Sequence, residues 1–238
     1  MVILSGAAML LAAYILGSIP SGLLIVRLTT GKDVRTIESG RTGGTNVARA
    51  AGMWAGILTA LMDGLKAALG VWLSQWLFPQ SVWLHVLAPL AAILGHNYSI
   101  FLMEKNSEGK VRLRGGAGGA SCVGGSVGLW APSFFIIVPA GAIILYFLGY
   151  ASVATLSAAL LSTIVFAWRA SIGASPWEYL LYGILAFLLL AWSLRPNIKR
   201  LIQGNERIVG FRARLRKAAQ KKQEETKRES LNSMNTRN

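Results

Sequence analysis

The chain has 238 residues, 53% of them apolar and only 14% charged, whereas about a quarter of a soluble domain is charged. Its net charge of +14 comes from 24 Lys and Arg against 10 Asp and Glu, and 13 of the basic residues follow Leu194. This excludes a soluble globular domain, favours membrane-flanking basic segments over a nucleic-acid partner, and, with Cys122 as the one cysteine, rules out an intrachain disulfide.

Residues 2–26 form the first apolar block, enough helix to cross a hydrocarbon core about 30 Å thick. The first basic residue, Arg27, comes after this block, which argues against a cleavable signal peptide. The polar segment 27–49 carries five basic residues and contains Ser39, Gly40, Arg41, Thr42, Gly43, Gly44, Thr45, Asn46 and Arg49. Glycines let backbone N–H groups converge on an anion, hydroxyls add donors, and arginine offers a fork for phosphate. A helix starting near Thr45 or Asn46 would turn its positive end to the same place. An ordinary polar turn with a helix cap has the same composition.

The second block, 50–78, contains Asp63 and Lys66, one turn apart on one helix face. Charge at a span centre costs about 2.5–3.5 kcal/mol per residue on insertion scales, so the pair needs a mutual partner or a task. The third block, 82–103, has His85 near one end, expected at the interface, and Gly95 and His96 near the other. His96 fits a general base or phosphate donor, and equally a packing histidine. The segment 104–114 carries four basic residues and runs into Gly115, Gly116, Gly118 and Gly119. That pattern makes either a second anion site or a basic anchor before a close-packed helix.

Between Arg114 and Arg169 there is no charged residue. By the positive-inside rule 27–49, 104–114 and the tail are cytoplasmic, so this block crosses an odd number of times. Three crossings fit, with turns at Ala131, Pro132, Ser133 and at Gly149, Tyr150, Ala151. A last apolar block covers 177–194. The expectation is an all-α polytopic membrane helical bundle of about seven spans, N-terminus outside and C-terminus cytoplasmic. Residues 1–210 form the membrane domain, and 211–238 a basic tail, disordered from about residue 220.

These segments, in this order, resemble the bacterial acyl-phosphate:glycerol-3-phosphate acyltransferase family over roughly residues 8–208. Ser39, Gly40, Gly43, Thr45, Asn46 and Arg49 match its S-G-N-x-G-A-T-N-x-x-R motif, Asp63 and Lys66 its D-x-x-K, and Gly95 and His96 its G-H. Arg114, Gly115, Gly116 and Gly118 resemble its K-G-G-K-G loop, and residues 149–152 its G-Y-x-S turn. Asn197, Arg200, Leu201, Gly204 and Glu206 follow its N-I-x-R-L-x-x-G-x-E ending. Arg41 stands where the family has Asn, Ala117 where it has a second Lys, Leu194 where it has His, Ser99 where it has Pro, and 104–113 is longer than its tight connection.

The resemblance implies acyl transfer from acyl phosphate to the 1-hydroxyl of glycerol 3-phosphate, with membrane lipid around the site. It implies no metal, no cofactor, no nucleic acid and no obligate protein partner. Ser39, Gly40, Gly43, Thr45, Asn46 and Arg49 would surround one phosphate, and Arg114, Gly115 and Gly116 the other, with Lys66 nearby. Asn197, Arg200 and Glu206 would close the site from the tail, and His96 or the acceptor's own phosphate would take the proton. Two alternatives remain: a small-anion transporter or channel, which should show inverted repeats that the sequence lacks, and, from the losses at Ala117 and Leu194, a paralogue that binds a phosphorylated lipid precursor with little or no catalysis.

Overall fold

The computed structural model describes residues 2–105, 109–213, 215, 218–220 and 223–225. Most of the expected tail, including 226–238, lies outside the described residues. Among the described residues up to Ile202, ten α-helices and one β-hairpin follow one another: α1 Val2–Ser18, α2 Ser21–Thr30, α3 Gly44–Ala51, α4 Met53–Leu77 and α5 Val82–Asn97. Then come β1 Ser99–Lys105, β2 Val111–Arg114, α6 Gly119–Leu129, α7 Phe134–Leu148, α8 Ala151–Ser171, α9 Glu178–Ser193 and α10 Arg195–Ile202.

Four helical stretches are long and apolar enough to cross a membrane: Ile3–Thr30, Met53–Leu77, Ala131–Leu148 and Ala151–Ser171. A fifth is counted if α9 and α10, bent by 70°, are one span. The helices α5 and α6 are apolar but shorter. Both turns expected inside the long uncharged block are present: Ala131–Ser133 is a 3-10 turn, and Gly149 ends α7 in the left-handed conformation (φ 74°). Only Ile137 of α7 is buried by protein, as expected of a helix whose other faces meet lipid.

Small residues let the helices approach closely, the usual device where lipid gives no hydrophobic drive between spans. A Cβ on Gly124 of α6 would collide with the backbone of Gly64 in α4, so these helices cross backbone to backbone. Around this crossing Val71, Ile93, Cys122, Phe166, Tyr182 and Leu190 form the main core. The Tyr182 hydroxyl donates to the Cys122 carbonyl at 2.6 Å.

Three expectations need correction. The third span ends at Asn97, beside the expected Gly95 and His96, but the rest of its apolar block forms a strand, so the mostly helical fold carries one hairpin. Residues 99–105 pair antiparallel with β2, placing Glu104 opposite Arg112 and Met103 opposite Leu113. Aromatic and branched Ile100 and Phe101 suit an extended strand, and Glu104 gains ion pairs to Arg35 (2.7 Å) and Arg114 (2.9 Å). The stretch 104–113, longer than the family's connection, holds the end of β1 and most of β2. The second block is divided at Gly52 (φ 92°), which separates α3 from α4. His85 is buried rather than interfacial, with Nε2 2.9 Å from the Phe78 carbonyl.

Candidate active site

The first polar loop is held from within. Asp33 accepts from the Arg35 amide at 2.9 Å and pairs with its guanidinium at 2.7 Å. The guanidinium hydrogen bond, chiefly, holds the Asp33 carboxyl far below the usual carboxylate range. The buried Asn46 side chain is the staple. Its amide donates to the carbonyls of Val34 (3.1 Å), Ile37 (3.0 Å) and Arg41 (2.9 Å), and its oxygen accepts from the Ser39 amide at 3.4 Å. Gly40 (φ 65°) supplies the left-handed turn between them.

The second glycine-rich loop lies against this one and against the end of α5. The Gly116 amide donates to the His96 carbonyl at 2.9 Å, and the Thr42 amide to the Gly115 carbonyl at 3.3 Å. A Cβ on Gly115 would strike the His96 carbonyl, and one on Gly116 the His96 ring. A Cβ on Gly43 would sit 4.0 Å from the Ala117 nitrogen, so the start of α3 faces the approach to α6. Among the described residues, the amides of Gly44, Thr45, Ala117 and Gly118 donate no hydrogen bond within the protein. Two helix starts with uncommitted N–H groups therefore face each other, an arrangement that suits an anion.

Arg41 ties three segments together. It donates from Nη1 to the Gly116 carbonyl (2.9 Å) and the Ser193 hydroxyl (3.2 Å), and from Nη2 to the Ser193 carbonyl (2.6 Å). Burial pulls its pKa below the usual arginine value; Tyr98 and Glu206 oppose that, while Arg200 and Arg112 add to it. From the tail, buried Glu206 accepts from Asn197 (2.8 Å) and from Arg200 (3.3 Å). Arg207 reaches Glu38 of the first loop at 3.4 Å. The Val209 amide donates to the Gly149 carbonyl at 2.7 Å, and Tyr150 bridges to Ile208. The turn between α7 and α8 thus straps the tail across the site.

Beneath the loops lies a second polar centre. Lys66 Nζ donates to the Ile19 carbonyl (2.7 Å) and the Gly17 carbonyl (3.3 Å), and pairs with Asp63 at 2.7 Å. Those carbonyls lie at the break between α1 and α2, where Pro20 has no N–H to continue the ladder. His96 Nδ1 lies 3.5 Å from Asp63 on the other side.

The two loops, His96 and the tail residues thus gather at one end of the bundle with Asp63 and Lys66 beneath them, while His85 lies at the other end of α5. Asn46, Lys66 and His96 direct their side chains into the protein. Thr45 and Arg49 are exposed, and Ser39 Oγ accepts from the Arg41 amide at 3.4 Å. Arg114 is paired with Glu104, and Asn197, Arg200 and Glu206 form one cluster. Arg41 stands in the phosphate-suited loop read from the sequence but outside the set of phosphate ligands that the resemblance implies.

A bundle of apolar helices that carries two glycine-rich, amide-lined loops at one end defines an integral membrane protein with a candidate anion site there. The chain belongs to the glycerol-3-phosphate acyltransferase family, whose model (Glycerol-3-phosphate acyltransferase) matches residues 7–204. A glycerol-3-phosphate acyltransferase of Thermus thermophilus is 35% identical over 87% of this chain and 96% of its own. One from Myxococcus xanthus is 35% identical over 84% and 98%. The crystal structure of PlsY (YgiH), an integral membrane glycerol 3-phosphate acyltransferase in its glycerol 3-phosphate form, superposes with a TM-score of 0.74. It is 29% identical, covering 89% of this chain and 98% of that one. The lysophosphatidic acid form of PlsY gives 0.71 at 28% identity, covering 87% and 96%.

Proposed function

We propose that this chain transfers a fatty acyl group from an acyl phosphate to the 1-hydroxyl of glycerol 3-phosphate, giving lysophosphatidate and inorganic phosphate. The observation that carries this reading is the facing pair of helix starts with uncommitted amides, set at one end of a lipid-facing bundle. Acyl phosphate is a mixed anhydride with a good leaving group, so the site needs only to hold two phosphates and orient one hydroxyl. The hydroxyl oxygen bonds to the acyl carbon while the carbon–oxygen bond to phosphate breaks. The electron pair leaves with the phosphate. The hydroxyl proton ends on that phosphate, directly or through the acceptor's own, so the products are an ester and hydrogen phosphate.

In this reading Ser39, Gly40, Gly43, Thr45 and Arg49 face one phosphate, and Gly115 and Gly116 the other, with Arg114 orienting the second loop through Glu104. Asn197, Arg200 and Glu206 close the site. Asn46, Lys66 and His96 act by holding the loops, because their hydrogen-bonding atoms point inward. The acyl chain lies between helices. Identity to named acyltransferases over most of the chain favours catalysis above mere binding of a lipid precursor.

The same reading takes the first helical stretch (α1 with α2), α4, α5, α6, α7, α8 and α9 as seven spans, with the N-terminus outside and the site on the cytoplasmic face of the cell membrane. Residues 1–210 are the catalytic domain and 211–238 a basic tail.

Purified protein given acyl phosphate and labelled glycerol 3-phosphate is expected to release labelled lysophosphatidate. No product from folded, membrane-reconstituted protein would overturn the reading. For orientation, Ser175→Cys should react with an impermeant thiol reagent on intact cells and Lys110→Cys should not, both in a Cys122→Ser background. The reverse pattern would invert the topology.

A further inference from the structure

Resting on that reading, we propose that Arg41 is a catalytic residue of this enzyme, the cation that meets the donor's phosphate. Three observations converge on it. First, its guanidinium is held at the Gly116 carbonyl and at the Ser193 carbonyl and hydroxyl, so it stands beside Ala117 and Leu194. Those two positions lack the Lys and His expected from the resemblance, and Arg41 is itself the departure that adds a charge. The hydrogen bonds of this one side chain thus reach the residues that immediately precede the other two departures.

Second, among the described residues no carboxylate pairs directly with Arg41. Around it Arg35, Arg114, Arg200 and Arg207 each pair with a carboxylate. Arg41 meets only neutral oxygens within hydrogen-bond distance, although it is partly buried. A cation withdrawn from water without a counter-charge is unfavourable until an anion arrives. Third, its capacity is not exhausted. A guanidinium has five N–H groups, and among the described residues three of those of Arg41 are used. The remaining donors, with the open amides of Ala117 and Gly118, suffice for the oxygens of a phosphoryl group. Charge that grows on the phosphate as the acyl–oxygen bond breaks would be stabilised more than the ground state.

A clamp role alone would make the same hydrogen bonds, so the test must separate charge from clamping. The variants are Arg41→Asn, Arg41→Asn with Ala117→Lys, and Arg41→Lys, each measured for kcat, KM and thermal stability with acyl phosphate and glycerol 3-phosphate. Arg41→Asn is expected to lower kcat/KM for acyl phosphate by about ten- to hundredfold, mostly in kcat, the size of a lost hydrogen bond to a charged group. Adding Ala117→Lys should recover much of that loss, because it returns a cation from the neighbouring loop. Arg41→Lys should fall between. Activity equal to wild type in Arg41→Asn would overturn the assignment while leaving the acyltransferase reading intact. So would a loss of activity that follows a fall in Tm and is not relieved by Ala117→Lys, which would make Arg41 a clamp. A wild-type protein that makes no lysophosphatidate in the same assay would overturn both.

Discussion

Lys66 and Arg41 are both cations withdrawn from water, and they are partnered in opposite ways. Lys66 spends its three donors on two main-chain carbonyls and the Asp63 carboxylate, so the α1–α2 break is mended and the charge neutralised. Arg41 spends three of its donors on neutral oxygens and keeps its charge. The first arrangement is closed and holds helices together; the second is open and awaits an anion. The resemblance places both in or near the site, and only the geometry of their partners separates structure from chemistry.

The largest expected effect tests the closed centre. Replacing Lys66 by Met leaves Asp63 charged and two carbonyls unpaired in the bundle, a loss of about 3–5 kcal/mol for a broken buried pair. Chemical unfolding in detergent should show it, and the double replacement Asp63→Leu, Lys66→Met should recover part. Unchanged stability in Lys66→Met would erase the contrast with Arg41. Asn46→Ala should give an intermediate effect, since Asn46 is closed like Lys66 but shapes the loop that Arg41 occupies. About 1–3 kcal/mol of loop stability is at stake for the stranded groups. The readout is a rise in KM for glycerol 3-phosphate, with the bundle still folded. Wild-type kinetics would make the stapling irrelevant to the site.

The smallest effect is a pH dependence. The Arg35 hydrogen bond lowers the folded-state pKa of Asp33, so this carboxylate stabilises the first loop at pH values above its unfolded value, about 4. That contribution falls away only as acid drives the pH below it. Limited proteolysis within 33–43 should therefore accelerate at low pH, and Asp33→Asn should show the faster cleavage already at neutral pH. Equal cleavage of the two proteins at neutral pH would remove Asp33 from the account.

Much of this architecture was legible in charge and glycine placement. The turns at 131–133 and 149–151 were readable because Pro and left-handed Gly interrupt an otherwise unbroken apolar run. The convergence of both loops, Asp63 with Lys66, His96 and the tail at one end followed from charge sorting. The hairpin was not legible, since Ile100, Phe101 and Met103 continue the apolar composition of α5, and helix and strand differ there only in what Arg35 and Arg114 offer Glu104. His85 was misplaced for a similar reason: its partner carbonyl, Phe78, is created by the turn before α5 and is not visible in composition. Arg41 was legible as a cation of the first loop; its hydrogen bonds to Gly116 and Ser193 were not, because nothing local joins positions so far apart in the chain.

The strap formed by Glu206, Ile208 and Val209 divides the making of the membrane body from the making of the enzyme. Among the described residues, the apolar spans and both glycine-rich loops precede residue 194, so a chain cut there would keep them. It lacks the carboxylate that gathers Asn197 and Arg200 and the link from Arg207 back to Glu38. The spans that anchor the protein are thus separate in sequence from residues 206–209, which draw the loop end of the bundle together.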